Sequence, residues 1–254
     1  MGETSLFNHV QLCHFRLPHF LVIGTQRGGT TSLQKLLEQH PDVYLPSHKE
    51  VHYFTLHAEQ SVAWYSTHYT SSSWEQQRGD ITPYYLFHPE APRRIFRLLP
   101  SAKLIVLLRD PANRALSQFF HARRHGFEKL NIRAALEAEP ERLASGSLYS
   151  HQKHSYVARS CYLEQMDRYE ALFSRHQILV LRSEDLFQNP GEVWSQIQYF
   201  LQLRYQPLPI PVIHANAGQG EASVLDPEVR AGLRAKLANT VAGVRARYGF
   251  DWDW

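Results

Sequence analysis

The stretch Gly24-Thr-Gln-Arg-Gly-Gly-Thr-Thr31 has the residue types of a phosphate cradle. Glycines let the backbone curl so that successive N–H groups converge on one anion. Thr30, Thr31 and Ser32 add hydroxyl donors, and Arg27 places a permanent cation inside the loop. The spacing follows the pattern of ATP-binding loops, but Thr30 stands where those loops carry lysine. One phosphate is provided for and a triphosphate with its Mg²⁺ is not, which weighs against a P-loop kinase or NTPase. A second candidate anion site is Arg109-Asp-Pro-Ala-Asn-Arg114-Ala-Leu-Ser117, where Arg109 can pair bidentately with a phosphate and Ser117 can donate to it. Taken alone, the same residues also read as a helix cap at Asp110-Pro111. In Lys49-Glu-Val-His-Tyr-Phe54, Glu50 and His52 would share one side of an extended segment, a carboxylate beside an imidazole. Lys49 then points the other way, towards the rim or a bound anion. By itself, Glu50 reads more readily as a solvated loop carboxylate paired with Lys49.

Other groupings carry less chemistry. His121 and His125 stand four apart, and His151 lies near His154, yet no His-Glu-x-x-His pattern or cysteine pair completes a zinc site. No Gly-x-Ser-x-Gly elbow is present for a hydrolase. Arg93, Arg94, Arg97, Arg123 and Arg124 read either as a cleft for an anionic acceptor or as solvated helix faces. Trp64, Trp74 and Tyr84 read either as a sugar-stacking wall or as core.

These residues need elements to hold them. Phe20–Gly24, Lys103–Leu108 and Gln177–Leu181 are short, rich in β-branched residues and do not alternate with polar ones, the signature of strands covered on both faces. Each precedes a stretch with helical spacing: Thr31–His40, Pro111–His125 and Pro190–Leu201. Strand then helix, repeated, predicts an α/β fold with a central parallel sheet in a P-loop-like three-layer α/β/α arrangement. Further helices are expected at Glu90–Leu99, Arg159–Phe173 and Pro227–Tyr248. Residues 41–89, with Pro41, Pro46, Pro83 and Pro89 and the serines at 71–73, read as insertion and loop. No repeat or linker divides the chain, so residues 1–254 are expected to form a single domain.

Composition sets the limits. Among 254 residues, 43% are hydrophobic and 20% charged, ordinary globular usage that excludes collagenous, disordered and coiled-coil classes. The net charge of +3 predicts local anion binding and no nucleic-acid-coating surface. The longest apolar runs fall far short of the roughly 20 residues of a membrane span, so no stable membrane insertion is expected. Cys13 and Cys161 fit a reducing, cytoplasmic setting, with a separate leader or anchor left open.

The pair of motifs Thr25-Gln-Arg-Gly-Gly-Thr-Thr-Ser32 and Arg109-Asp-Pro-x-x-Arg114-x-x-Ser117 resembles the two nucleotide-binding segments of sulfotransferases that use 3′-phosphoadenosine 5′-phosphosulfate (PAPS). Lys49-Glu-Val-His-Tyr-Phe54 is similar to the glutamate-bearing segment of heparan sulfate sulfotransferases, of the 3-O and N-deacetylase/N-sulfotransferase types. Asp80-Ile-Thr-Pro-Tyr-Tyr85 is similar to their Glu-Lys-Thr-Pro-x-Tyr segment, and Ala91-Pro-Arg-Arg94 also matches. The likeness runs from about residue 20 to about residue 202.

The resemblance implies that Arg27, Gly28, Gly29, Thr30, Thr31 and Ser32 cradle the 5′ side of PAPS. Arg109 and Ser117 would take the 3′-phosphate, with Tyr162 near the nucleotide. Glu50 would be the general base of an in-line displacement, with Arg27 and His52 assisting and Lys49 and His52 meeting the acceptor; Asp80 reads as orienting the acceptor or Arg27, or equally as a cap before Thr82-Pro83. That acceptor is a hydroxyl or amine, expected on a saccharide or a small hydroxylated molecule; adenosine 3′,5′-bisphosphate (PAP) is the product, and no metal is called for. A non-catalytic nucleotide-binding module of the same fold is the remaining alternative. Three departures stand out: Ile81 replaces the family lysine, Thr55 replaces an acid, and Asn216–Glu221 contains no basic residue where the relatives carry a Lys-Gly-Arg loop.

Overall fold

The computed structural model describes residues 15–209 and 227–254. Cys13 and the Asn216–Glu221 segment therefore lie outside the described residues. Three apolar runs become β1 (Phe20–Gly24), β4 (Lys103–Leu108) and β5 (Ile178–Arg182). They join β2 (Val43–Tyr44) and β3 (Gln77–Ile81) in a parallel sheet of order β2-β3-β1-β4-β5. In β1 and β4, Leu21, Ile23, Leu104 and Val106 point to one face and Phe20, Val22, Ile105 and Leu107 to the other, all fully buried.

Helices cover both faces, so three layers form as expected. The first face packs on α3 (Ala91–Leu98) through Ile95 and on α7 (Tyr162–Glu170) through Tyr162, Met166 and Tyr169. The second packs on α1 (Thr30–Leu37) through Leu33, Leu36 and Leu37, and on α9 (Pro190–Leu201) through Val193, Trp194 and Ile197. Helix α4 (Pro111–Arg124) follows β4, with Asp110 as its N-cap, accepting from the Asn113 N–H at 2.8 Å. It packs against α10 (Pro227–Tyr248) and α5 (Ile132–Ala144). Three short helices complete the described chain: α2 (Val62–Thr67), α6 (Leu148–Lys153) and α8 (Asp185–Gln188).

Two expectations need correction. Residues 41–89 are not all loop, since they hold β2, α2 and β3. The sequence of β3, Gln-Arg-Gly-Asp-Ile, carries no apolar run, and its buried side chains Arg78 and Asp80 are held by hydrogen bonds instead. Arg78 donates to the Leu17 carbonyl at 2.8 Å, and Asp80 accepts from three hydroxyls. The helix expected over Arg159–Phe173 is interrupted: a 3₁₀ turn spans Ala158–Ser160, and α7 starts at Tyr162. Ser160 is drawn aside by its own hydrogen bond to the Pro111 carbonyl at 2.7 Å and by that of Arg114 to its Oγ at 2.6 Å.

Topology places the site. The chain builds β1, β2 and β3 to one side and then crosses to β4 and β5, so the loops leaving β1 and β4 diverge. A crevice opens at the carboxyl ends of these neighbouring strands, the usual ligand position in a sheet of this kind.

Candidate active site

The loop from β1 to α1 is built for close approach. A Cβ on Gly28 would lie 2.9 Å from the Leu107 carbonyl oxygen, so the loop can lie against β4 only with glycine there. Gly29 has φ 92° as the N-cap of α1, and Arg27 also adopts the left-handed conformation, at φ 69°. The Ser183 hydroxyl, beyond β5, donates to the Gly28 carbonyl at 2.7 Å. These restraints present the N-terminus of α1, with Thr30, Thr31 and Ser32, to a cavity of about 500 Å³.

Arg27 joins the two anion motifs. Its Nε donates to Ser117 Oγ at 3.1 Å, while Arg109 donates to the Arg27 carbonyl at 3.0 Å. Both guanidiniums line the cavity. Burial first, and then the charges of Arg109, Arg124 and Arg114, push the Arg27 pKa down to about 10. A site so crowded with cations is poised for a multiply charged anion.

Glu50 and His52 do meet, though not through an extended segment. Both are in left-handed backbone, at φ 61° and 57°, and this turn brings His52 Nε2 to 3.4 Å from Glu50 Oε2. A carboxylate only accepts, so this nitrogen carries the proton, and the other, Nδ1, lies 3.1 Å from the Thr55 hydroxyl. Thr55 thus orients the imidazole. Burial raises the Glu50 pKa, but the His52 hydrogen bond and the charges of Lys49, His52 and Arg159 outweigh it, and the net result is lowered.

The turn is held from several sides. Arg94 of α3 donates to the Phe54 carbonyl at 3.1 Å, and Tyr53 stacks on Tyr65 of α2 with ring centroids 4.1 Å apart. Lys49 reaches in the opposite direction: its Nζ lies 2.5 Å from Thr31 Oγ1 and 3.8 Å from Glu50 Oε1. It brings an ammonium to the phosphate loop from another segment, although position 30 is threonine.

Two sequence candidates sit elsewhere. Asp80, expected near the acceptor, is fully buried. It accepts from Tyr65 at 2.7 Å, Tyr85 at 2.8 Å and Thr82 at 2.7 Å, and Thr82 Oγ1 lies 3.5 Å from the His52 N–H. It braces the Glu50–His52 turn from behind and does not line the cavity. Tyr162, expected near the nucleotide, is also fully buried, and its hydroxyl donates to the Arg109 carbonyl at 2.8 Å. Its place is beneath Arg109. Ile81 lies in the core at 4% exposure, so no charge enters from that position.

Sequence reasoning missed Gln26, Asn113, His121, Glu184 and Phe187, all of which line the cavity. Asn113 and His121 flank Ser117 at four-residue spacing, a pattern that makes one face of α4 legible. Glu184 and Phe187 follow β5, where the rule that ligands gather at strand carboxyl ends applies a third time. His121 neighbours His125, with ring centroids 4.2 Å apart. Burial, Arg27, His125, Arg124 and Lys153 drive its pKa down to about 4. No cluster of three metal-ligating side chains occurs among the described residues. Nor is any helix among them long and apolar enough to cross a membrane.

Fold and cavity together define a parallel α/β protein with a cationic oxyanion site at the reversal of strand order and a carboxylate on its wall. The sulfotransferase domain family matches residues 17–216, and the chain belongs to that family. It is 26% identical over 267 residues to the membrane-associated sulfotransferase kil1 of Dictyostelium discoideum, an alignment covering 74% of this chain and 57% of that protein. It is 30% identical over 189 residues to human heparan sulfate glucosamine 3-O-sulfotransferase 6, covering 74% and 53%. The chain thus spans little more than half the length of these two relatives. Among solved structures, a sulfotransferase from Alicyclobacillus acidocaldarius superposes with a TM-score of 0.79 at 27% identity, covering 93% of this chain and 98% of that one. A mouse sulfotransferase solved with PAP shares the fold, with a TM-score of 0.57 at 16% identity over 92% and 89% of the chains.

Proposed function

We propose that this chain, acting as one catalytic domain, transfers the sulfonate group of PAPS to a hydroxyl or amine of a carbohydrate acceptor. The observation that carries this reading is the 3.1 Å hydrogen bond from Arg27 to Ser117, which fuses the glycine loop and the α4 site into one cavity with Glu50 on its wall. A nucleotide with phosphates at both ends of its ribose matches two adjoining cationic pockets, whereas a nucleoside triphosphate presents its charge in a single chain. The neighbour solved with PAP and the relative acting on heparan sulfate support the donor and the acceptor class.

The chemistry then follows from the side chains. The 5′ phosphosulfate lies against Gly28, Gly29, Thr30, Thr31 and Ser32, with Arg27 and Lys49 facing its oxygens. The 3′-phosphate lies against Arg109 and Ser117. The acceptor oxygen or nitrogen forms a bond to sulfur as the bond from sulfur to the bridging oxygen breaks, and PAP leaves with that electron pair. Arg27 and the α1 N-terminus stabilise the negative charge growing on the bridging oxygen. The acceptor's proton passes to Glu50, which is effective because the acceptor becomes acidic only as the new bond forms. His52 holds the carboxylate in line and neutralises part of its charge.

The test is titration calorimetry with PAP, adenosine 5′-monophosphate (AMP) and ATP·Mg²⁺. PAP is expected to bind, with ATP·Mg²⁺ much weaker. Arg109→Ala should weaken PAP about 10- to 100-fold, as loss of a charge-assisted pair implies, and leave AMP nearly unchanged. Equal losses for PAP and AMP would remove Arg109 from the 3′ site, and preference for ATP·Mg²⁺ would replace the reading with a kinase or NTPase.

A further inference from the structure

Arg114 and Arg159 are buried at 0% and 2% exposure, and both hold one residue of the phosphate loop. Arg114 Nη1 donates to the Gln26 backbone carbonyl at 3.5 Å, and Arg159 Nη1 donates to the Gln26 side-chain Oε1. No carboxylate stands within ion-pair distance of either guanidinium among the described residues. Burying such a cation is costly, so its donors are matched with care. Arg159 Nε donates to Ser155 Oγ at 2.6 Å, and Nη2 to the His151 and Gln152 carbonyls at 2.6 and 3.1 Å. Its guanidinium carbon also lies 4.7 Å from the Tyr84 ring centroid and 4.9 Å from that of Phe87. Arg159 is a fixed post, and Gln26 is the group it holds towards the cavity.

The chemistry of the pair settles which way the amide faces. An arginine has donors and no acceptor, so the carbonyl end of Gln26 must meet Arg159 and the NH₂ end must face away from it. Gln26 lines the same cavity as Arg27, Lys49 and Glu50. The loop therefore offers two further N–H donors, on a neutral amide, to the cavity that Gly29 and Glu50 also line. An amide adds no charge to an already cationic site, and donors at that place suit a group rich in acceptor oxygens that sits between phosphate and acceptor.

We propose that Gln26 donates to the oxygens of the sulfonate group being transferred, and that Arg159 is the positioning residue that aims it. This rests on the sulfonate-transfer reading above and adds a specificity element: Gln26 distinguishes PAPS from PAP, because only PAPS carries the sulfonate. The electron bookkeeping of the transfer is unchanged, and Gln26 moves no proton.

The experiment compares dissociation constants for PAPS and PAP, so no acceptor is needed. Gln26→Ala, a change at a half-buried cavity residue, is expected to weaken PAPS about tenfold and to leave PAP within about twofold, the loss expected for hydrogen bonds to a charged group. Arg159→Lys should give a smaller loss in the same direction. Added to Gln26→Ala it should cost PAPS nothing more, since it acts through the missing amide. A merely structural role for Arg159 would lower both ligands together. Equal losses of PAPS and PAP in Gln26→Ala, no loss of either, or additive losses in the double variant would each overturn the proposal. Failure of the unaltered protein to bind PAP would overturn the donor reading itself, and the Gln26 assignment with it.

Discussion

Replacing Lys49 with methionine keeps most of the side-chain volume and removes one ammonium from the site. In the structure that ammonium lies 3.8 Å from Glu50 and against Thr31 of the phosphate loop, with its side chain 29% exposed. Two unit charges about 4 Å apart interact by about 4 kcal/mol at an effective dielectric constant near 20. Halving this for partial solvent screening leaves about 2 kcal/mol, or roughly 30-fold in an equilibrium constant. A donor oxygen held at a similar distance loses that amount, so Lys49→Met should weaken PAP about 10- to 50-fold by calorimetry. The same variant should move Glu50. Lys49 is one of the charges that hold its carboxyl below the ordinary value of 4.5, so the acid limb of the pH–rate profile should shift upwards. Raising the ionic strength should reduce the difference between variant and parent. Unchanged PAP affinity together with an unmoved acid limb would refute the claim that Lys49 supplies the charge absent from position 30.

The other consequences are briefer. Glu50→Gln keeps the shape of the wall and removes the proton acceptor, so turnover with PAPS and a heparan-derived oligosaccharide should fall about 100-fold or more while PAP affinity holds; unchanged turnover ends its role as base. Because the folded Glu50 pKa is depressed, its contribution to stability is present above pH 4.5 and is lost as pH falls through the lower folded value, which acid titration of the parent against Glu50→Gln will show. Asp80→Ala leaves the hydroxyls of Tyr65, Tyr85 and Thr82 without their acceptor and should cost about 3 kcal/mol or more in urea denaturation. A loss under about 1 kcal/mol would mean that the hydroxyls find other partners.

Local patterns were enough for the three apolar strands: β1 and β4 are buried on both faces, and β5, half-buried at the sheet edge, still keeps an apolar run from Ile178 to Leu181. They were enough for the glycine loop too, since only glycine tolerates a carbonyl oxygen 2.9 Å from the place of a Cβ at position 28. Strand β3 was hidden because Arg78 and Asp80 interrupt any apolar run, and the partners that hold them in place include the Leu17 carbonyl and Tyr65, 61 and 15 residues away and beyond a local window. Asp80 and Tyr162 are both buried and engaged within the protein: Asp80 accepts from Tyr65, Thr82 and Tyr85, and Tyr162 donates to the Arg109 carbonyl, contacts that polarity and motif position do not reveal. Thr55 shows the reverse case, a residue with no marked chemistry in the sequence that reaches His52 Nδ1.

Residue types alone laid out the chemistry on offer: a glycine loop with Arg27, a second basic motif at Arg109 and Ser117, and a carboxylate at Glu50, each tied to a local rule of backbone or charge. Folding then brought Arg27 to Ser117, Lys49 to Thr31, and Arg159 to Gln26 across 133 residues. The reason is physical: loop and strand propensities act within a few residues, whereas distance between charges is set by how the sheet orders its strands, and that order depends on which buried surfaces fit one another.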